Sequence, residues 1–375
     1  MRIRHDYLDP QTPEDQVLVV VFLRGGADGL TLVPPVNDDG YHRARPTIGV
    51  SPRDAMALDD VFSLHADLKP LMPWYERGEL AIVHGVGSED ATRSHFEAQD
   101  FMEHAGNTGG GWLARYLRAR PGGAGALCAV SIGTTLPESL RGAPGGAVIQ
   151  TVRDFSLGDE PVERTFTEEL ARLYAAESGP LGQAARDTIE AIRRLRALRA
   201  DDPGPRNRAA YPDGSFGRGL RELARIIRAD VGLVASTIDL DGWDTHFGQN
   251  ALIGGLMRTL AQGIDAFLTD LGPESRRVTV VVMTEFGRRV AENSSLGTDH
   301  GLASVMFTIG PGIRGGQVVS RWRNVDQAQL IGPGDIPVGI NYRDVLAPIL
   351  ARNNPGLDLA AVFPRYNVAP LGITG

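Results

Sequence analysis

The sequence predicts an α/β protein, a three-layer sandwich with a mainly parallel central sheet. Residues 17–23 form one unbroken apolar run, and residues 278–283 (Val-Thr-Val-Val-Val-Met) form a second that is mostly β-branched. Such runs read as strands buried on both faces, the pattern of a parallel sheet rather than of a half-exposed one. Around them, segments of strand character alternate with helical stretches, which implies crossover connections and helices on both faces.

Composition sets the outer bounds. The 375 residues are 42% hydrophobic and 22% charged, as expected of a globular chain that buries a sizeable core. A net charge of −8 argues against a nucleic-acid partner, and the basic residues, almost all Arg, form no phosphate track. Cys128 is the single cysteine, which excludes an internal disulfide and thiolate metal sites. The polar start (Met1-Arg2-Ile3-Arg4-His5-Asp6) lacks a signal-peptide core, and no stretch approaches the ~20 apolar residues of a membrane span. As written, the chain reads as cytoplasmic, or as periplasmic if an export signal has been removed.

The elements follow in order. Residues 1–14 read as a loose arm before a single domain over 15–375. The strand at 17–23 ends in Arg24-Gly25-Gly26-Ala27-Asp28-Gly29, a turn that lets backbone approach a ligand closely and sets Asp28 at a strand end. It lacks the Gly-x-Gly-x-x-Gly spacing of a dinucleotide site. Residues 34–60 are rich in turn formers and read as a rim. A helix at 67–77 and a strand at 80–86 lead through a polar segment to a helix at 95–104, with Ser94 at its N-cap. A short helix at 112–118 precedes a strand around Cys128, read as a small buried thiol. Residues 134–165 read as irregular and 166–199 as one long helix, ended by Asp201-Asp202-Pro203-Gly204-Pro205. The stretch 151–212 is therefore expected to be a helical insertion or lid. A helix at 216–228, a strand at 231–240, a crossover helix at 253–271 and a late helix from Tyr342, with Asp344 in its first turn, complete the series.

In an open α/β sheet, ligands sit beyond the carboxyl ends of the strands. Three polar clusters fall where such ends are expected: Asp241-Gly242-Trp243-Asp244-Thr245-His246, Thr284-Glu285-Phe286-Gly287-Arg288 and Thr298-Asp299-His300-Gly301. With Asp28 they offer Asp244, His246, Glu285, Asp299 and His300 as metal ligands. A hydrolytic divalent site takes hard oxygens and imidazole nitrogens at about 2 Å. Such a cation polarises a phosphoryl or sulfuryl oxygen and lowers the pKa of a bound water or hydroxyl. Arg24, Arg288 and Arg93 are candidate oxyanion clamps. Ser94 is a candidate nucleophile at a helix start, with His95 beside it as acid or base. Each has a structural alternative: Ser94 as a plain cap, Asp28 as a turn stabiliser, Asp244 and His246 as a bonded loop pair, Glu285 as a partner of Arg288, and Asp299-His300 as a loop couple, whereas the flanking Gly297 and Gly301 would suit close packing against a bound ligand. Trp243 reads as a packing anchor; His65, His84 and His104 read as ordinary residues.

These motifs resemble the alkaline phosphatase-like superfamily and, within it, the sulfatase-like bacterial domain-of-unknown-function family 1501. The likeness is carried by Phe22–Gly29, by Ser94-His95-Phe96-Glu97-Ala98-Gln99, by Thr108-Gly109-Gly110-Gly111-Trp112-Leu113, by the three clusters above and by Asp344–Leu350. It spans nearly the whole chain. The resemblance implies a central parallel sheet, one or two metals (Zn, Mn, Mg or Ca) and cleavage of a small anionic phosphate or sulfate ester through a Ser, Thr or formylglycine nucleophile. It implies that Asp28 matches the first-strand ligand, Ser94 the nucleophile, Asp244 and His246 the Asp/His ligand pair and His300 the last ligand histidine. Where relatives carry an adjacent Asp-His pair, this chain has Glu285-Phe286, and no Cys-x-Pro-x-Arg motif is present. The expected function is a metal-dependent ester hydrolase or transferase; the competing expectation is a non-catalytic member that binds a ligand or partner.

Overall fold

A computed structural model describes residues 16–120, 127–153, 160–200 and 202–375. The expected amino-terminal arm lies outside the described residues. In chain order the elements are β1 (Val17–Leu23), α1 (Gly29–Leu32), α2 (Asp39–Ala44), β2 (Ala55–Ala57), β3 (Ser63–His65), α3 (Met72–Glu76), β4 (Leu80–Gly87), α4 (His95–His104), α5 (Trp112–Ala119), β5 (Ala129–Ile132) and β6 (Gly146–Ile149). They continue with α6 (Glu160–Tyr174), α7 (Pro180–Ala200), α8 (Ser215–Arg228), β7 (Ala235–Leu240), α9 (Gln249–Leu271), β8 (Val278–Thr284), β9 (Ser304–Ile309), β10 (Gln317–Ser320), β11 (Ile340–Asn341), α10 (Tyr342–Asn353) and α11 (Leu359–Val362).

All seven residues of β1 are buried, and alternate ones face opposite cores. Val17, Val19, Val21 and Leu23 join one cluster with Leu220 and Leu223 of α8 and Ile264 and Phe267 of α9. Leu18, Val20 and Phe22 join a second with Trp112 and Tyr116 of α5 and Val345, Leu346 and Ile349 of α10. β8 divides in the same way, with Val280 and Val282 on one side and Val281 and Met283 on the other. Each such side chain contributes about 1.5–3 kcal/mol on burial. Continuous apolar runs are thus what a strand between two helical layers requires, and the three-layer sandwich follows.

The main sheet has the order β10-β4-β9-β8-β1-β7-β5-β6, with β11 also on β4. Every pairing is parallel except those of β9, which runs antiparallel to both β4 and β8. This exception determines where the site forms. The amino end of β9 lies at the edge where β1, β4, β7 and β8 have their carboxyl ends. The Thr298–Gly301 cluster does not follow a strand, as its sequence position suggested; it precedes β9 and still reaches that edge.

Several boundaries differ from expectation; the helix expected at 67–77, for one, is a 3-10 turn at Ala66–Leu71 followed by α3, and the crossover helix begins at Gln249. The helix expected over 166–199 is two helices, α6 and α7, separated at the Gly179-Pro180 step, where glycine and proline together favour a break. The stretch 134–165 holds β6 and the start of α6. β7 starts at Ala235 rather than 231, after Gly232 with φ +79°. Cys128 is buried, and burial pushes its thiol up to about 11, the inert character expected of it. Among the described residues, no helix is long and apolar enough to cross a membrane.

Candidate metal centre

Asp244 and His246 lie two residues apart on an extended loop, so both side chains point the same way. His246 Nε2 is 3.1 Å from Asp244 Oδ1. The segment before β9 brings His300, whose Nε2 is 3.2 Å from the same oxygen and 2.8 Å from His246 Nε2. The first residue of α4, His95, points its Nε2 at that oxygen from 3.4 Å. His95, Asp244 and His300 each offer a ligand atom within 4.8 Å of the others.

The far nitrogen of each ring has its own neighbour. His95 Nδ1 donates to Glu285 Oε1 at 2.8 Å, and His300 Nδ1 donates to the Arg93 carbonyl at 2.8 Å. His246 Nδ1 faces Asp299 Oδ1 at 3.6 Å. In a neutral ring, donation from Nδ1 leaves Nε2 as a bare lone pair. His95 Nε2 is buried with no hydrogen-bond partner, and the His246–His300 contact brings two ring nitrogens together at 2.8 Å. Lone pairs converging on a carboxylate oxygen suit a cation, and the donor set of three imidazoles and one carboxylate is of the kind zinc takes.

Electrostatics agree with the geometry. Burial works against the charge on Asp244, but the Arg288 hydrogen bond and charge, with His300 and His246, hold its carboxyl down to about 2. The Glu285 hydrogen bond raises His95 more than burial lowers it, whereas burial lowers His300.

The other expected ligands stand behind this group. Glu285 is buried, and its Oε1 accepts from Gly25 N–H at 2.9 Å, His95 Nδ1 at 2.8 Å and Gln99 Nε2 at 3.0 Å. It braces His95 and leaves that oxygen no room for a metal. Burial opposes its charge, but these donors hold its carboxyl below the usual range. Asp299 accepts from Asn293 and Arg289, both at 3.1 Å, and backs His246. Asp28 is bound by protein donors instead. Arg45 grips it at 2.5 and 3.0 Å, Thr31 Oγ1 and Gln249 Nε2 each lie 2.7 Å away, and its Oδ1 also caps α1 through Leu30 N–H. The structure gives Asp28 the role of scaffold, because its lone pairs are filled by protein donors.

The expected oxyanion clamps are likewise engaged. Arg24 pairs with Glu103 at 2.5 Å and Asp239 at 3.1 Å. Arg93 pairs with Asp335 at 2.5 Å. Arg288 is fully buried and donates to Asp244 Oδ1 at 2.7 Å and to the carbonyls of Gly25, Gly26, Trp243 and Thr298. It ties the loops of the site together, and its carboxylate partner is Asp244 rather than Glu285. Ser94 holds the N-cap position of α4 through its backbone, yet its hydroxyl makes no cap bond. It lies between Arg93, whose carbonyl holds His300, and His95.

Close packing explains the glycines. Gly25 has φ +119°, and a Cβ there would meet Asp244 N at 2.5 Å. Gly26 has φ +68°, and a Cβ would meet the Phe286 ring at 2.6 Å. Gly297 and Gly301 press on backbone at His246 and Arg288, not on a ligand. Phe286 is buried and packs at a tilt, 4.8 Å from the His95 ring and 4.9 Å from that of His300, filling one side of the centre.

Four supports escaped the sequence reading. Gln99 alone had a signal, standing one helical turn after His95 so that both reach Glu285. Arg45, Gln249 and Asn293 had none. Beside the centre lies a groove of about 520 Å³, whose lining includes Asp100, Glu103, Glu138, Asp239, Asp241 and Asp244.

A family model described as "Protein of unknown function (DUF1501)" matches residues 82–374. The chain belongs to this family. All of the centre's donors, and Glu285 and Asp299 behind them, fall inside the DUF1501 match, while Asp28 and Arg45 fall before it. No curated protein matches. Among solved structures, the DUF1501 chain is similar to the zinc-complexed C-terminal periplasmic domain of EptC from Escherichia coli, at 8% identity over 79% of this chain and 72% of that one, TM-score 0.34. It is also similar to alkaline phosphatase from the Antarctic bacterium TAB5 (10% identity, 83% and 95% covered, TM-score 0.33) and to a sulfatase-like protein of Bacteroides thetaiotaomicron (11%, 95% and 76%, TM-score 0.35).

Proposed function

We propose that this DUF1501 chain is a hydrolase or transferase that holds one divalent cation on His95, Asp244, His246 and His300 and acts on a phosphate or sulfate ester. The observation that carries this reading is the convergence of three imidazole Nε2 atoms on Asp244 Oδ1. Three nitrogens and one oxygen favour Zn²⁺ over Mg²⁺ or Ca²⁺, which prefer all-oxygen shells. Phe286, packed against the His95 and His300 rings, favours one ion over two.

When bound, the cation would supply Lewis-acid polarisation of an ester oxygen and a lowered pKa for a coordinated hydroxyl. The chain's own groups do the rest. Glu285 and the Arg93 carbonyl hold His95 and His300 in the tautomer that presents Nε2. Ser94 Oγ, free of a cap bond, attacks phosphorus or sulfur; its proton passes to solvent and the ester oxygen leaves as the alcohol. Water then cleaves the serine ester, releasing the anion and restoring the hydroxyl.

The non-catalytic alternative is supported by the engagement of Arg24, Arg93 and Arg288, which leaves none of the three as an anion clamp. Elemental analysis of the purified protein, followed by a panel of phosphate and sulfate esters with Ser94→Ala and Asp244→Ala, separates the two. One equivalent of metal, and turnover lost in both variants with folding retained, supports the enzyme. Bound metal with no turnover on any ester supports the binding protein. Absence of metal under all loading conditions removes the enzyme reading and leaves the non-catalytic one.

A further inference from the structure

A second cavity of about 610 Å³ opens at the carboxyl ends of β5, β6 and β7. It shares Thr135, Asp239 and Asp241 with the groove that reaches His95 and Asp244. The two spaces therefore meet at the end of β7 and the loop after β5, and the segment after β7 runs from Asp241 in the lining of both to Asp244 in the candidate centre. A substrate whose reacting group sits at the centre would extend the rest of itself into this cavity.

The lining selects what that remainder can be. Thr134, Thr135 and Gln150 are exposed along this lining, beside Arg218, Asp239 and Asp241, while Ile132, Phe216 and Ile238 form its apolar part. Arg24 is shared between Asp239 at 3.1 Å and Glu103 at 2.5 Å, and Arg218 lines the space with Asp241, so two guanidiniums stand against three carboxylates and the lining is slightly acidic. Because Ile132, Phe216 and Ile238 are themselves buried, an alkyl or aryl group would meet mainly the polar groups and strip water from them without replacing its hydrogen bonds. A second anionic group would meet two carboxylates. What fits is a neutral group with many hydroxyls, each able to donate to a carboxylate or carboxamide oxygen and to accept from a guanidinium or hydroxyl.

The geometry points to an ester of a polyhydroxylated carrier, a sugar or similar polyol, as the substrate class, with the carrier in the cavity between β5–β7 and α8. This rests on the ester-cleaving reading above. The test uses metal-loaded full-length protein and matched phosphate and sulfate esters of three kinds of carrier: the polyols hexose, pentose and glycerol; the alkyl n-hexyl; and the aminated ethanolamine. At least one polyol ester is expected to show kcat/KM about tenfold or more above its alkyl counterpart, since a site built to bond hydroxyls rejects analogues that lack them. Gln150→Leu combined with Thr134→Val should shrink that ratio by about tenfold, mainly through KM, with melting temperature and metal content retained. Alkyl esters cleaved as well as every polyol ester, or a preference for the aminated carrier, would overturn the assignment while leaving the ester-cleaving reading intact. If no ester is cleaved, that reading fails instead, and the cavity is judged by titrating the free hexose, pentose and glycerol. Chemical-shift changes confined to β5–β7 and α8 and lost in the double variant uphold it; none at 100-fold excess sugar rejects it.

Discussion

Asp28 and Asp244 stand just beyond the carboxyl ends of neighbouring parallel strands, β1 and β7, at the same edge of the sheet. Asp28 is buried and surrounded by donors: a bidentate arginine, a hydroxyl, a carboxamide and a backbone N–H. Asp244 is half exposed, takes a buried arginine on Oδ1 and turns that same oxygen toward three imidazole nitrogens. A carboxylate becomes scaffold when the protein fills its lone pairs. It is left available as a ligand when imidazole nitrogens, rather than further N–H and O–H donors, gather around it. Sequence position alone does not tell the two apart.

The widest gap between the two should appear on removing a neighbour. His300→Ala takes one of the converging nitrogens from the centre, and the loss of metal affinity should exceed the roughly 10–100-fold that removal of an outer partner costs. Folding should survive, because His300 is a partly exposed ring whose removal strands no buried charge. Competition against a fluorescent zinc chelator measures the affinity, and thermal melts of the metal-free protein measure the fold. Unchanged affinity would remove His300 from the centre.

Arg45→Met probes the opposite case. It strands the buried Asp28 carboxylate, a change that costs about 3–5 kcal/mol, read from urea unfolding of the metal-free protein. The same pair sets an acid limb. Burial pushes the Asp28 carboxyl up, but the charge and hydrogen bonds of Arg45, with those of Thr31 and Gln249, outweigh it and hold the carboxyl low. A carboxyl lowered in the folded state stabilises fully above its unfolded value of about 3.9, and that contribution is lost as pH falls through the lower folded value. Wild-type stability should therefore drop below about pH 4 more steeply than that of Asp28→Asn. Parallel curves would show that the pair does not set the limb.

How much of this was legible beforehand follows from the range of the interactions involved. The strands β1, β4 and β8 could be read because burial on both faces writes itself locally as consecutive apolar residues. Asp244 and His246 could be read as a pair because two-residue spacing on extended backbone is itself a geometric statement. Whether Glu285 binds a metal or braces a histidine depends on His95, 190 positions away. Whether Asp28 is free depends on Gln249, 221 positions away, and on Arg45, one arginine among many. Neither partner has a spacing to mark it. The antiparallel course of β9 was equally hidden, although it is what carries His300 to the right edge.

Glu285→Gln sharpens the comparison from within the centre. The carboxamide keeps the volume and one acceptor for His95 Nδ1, but it removes the charge that fixes that ring and strengthens its donation. Metal affinity should fall by about 10–100-fold, less than for His300→Ala. An equal or larger loss would make Glu285 a ligand and would require the site to rearrange on loading.

The smallest effect concerns Ser94. An N-cap side chain that bonds the first turn is worth about 1 kcal/mol, lost on change to alanine. Asp358 makes such a bond to Ala360 N–H at 2.9 Å at the start of α11, whereas the Ser94 hydroxyl makes none at the start of α4. Asp358→Ala should therefore lower stability by about 1 kcal/mol, and Ser94→Ala by less than about 0.5 kcal/mol, both read from urea midpoints at constant slope. Since helix formation asks nothing of that hydroxyl, any large loss of ester turnover in Ser94→Ala belongs to chemistry rather than to folding. A stability loss as large as that of Asp358→Ala would return Ser94 to the ordinary role of a cap.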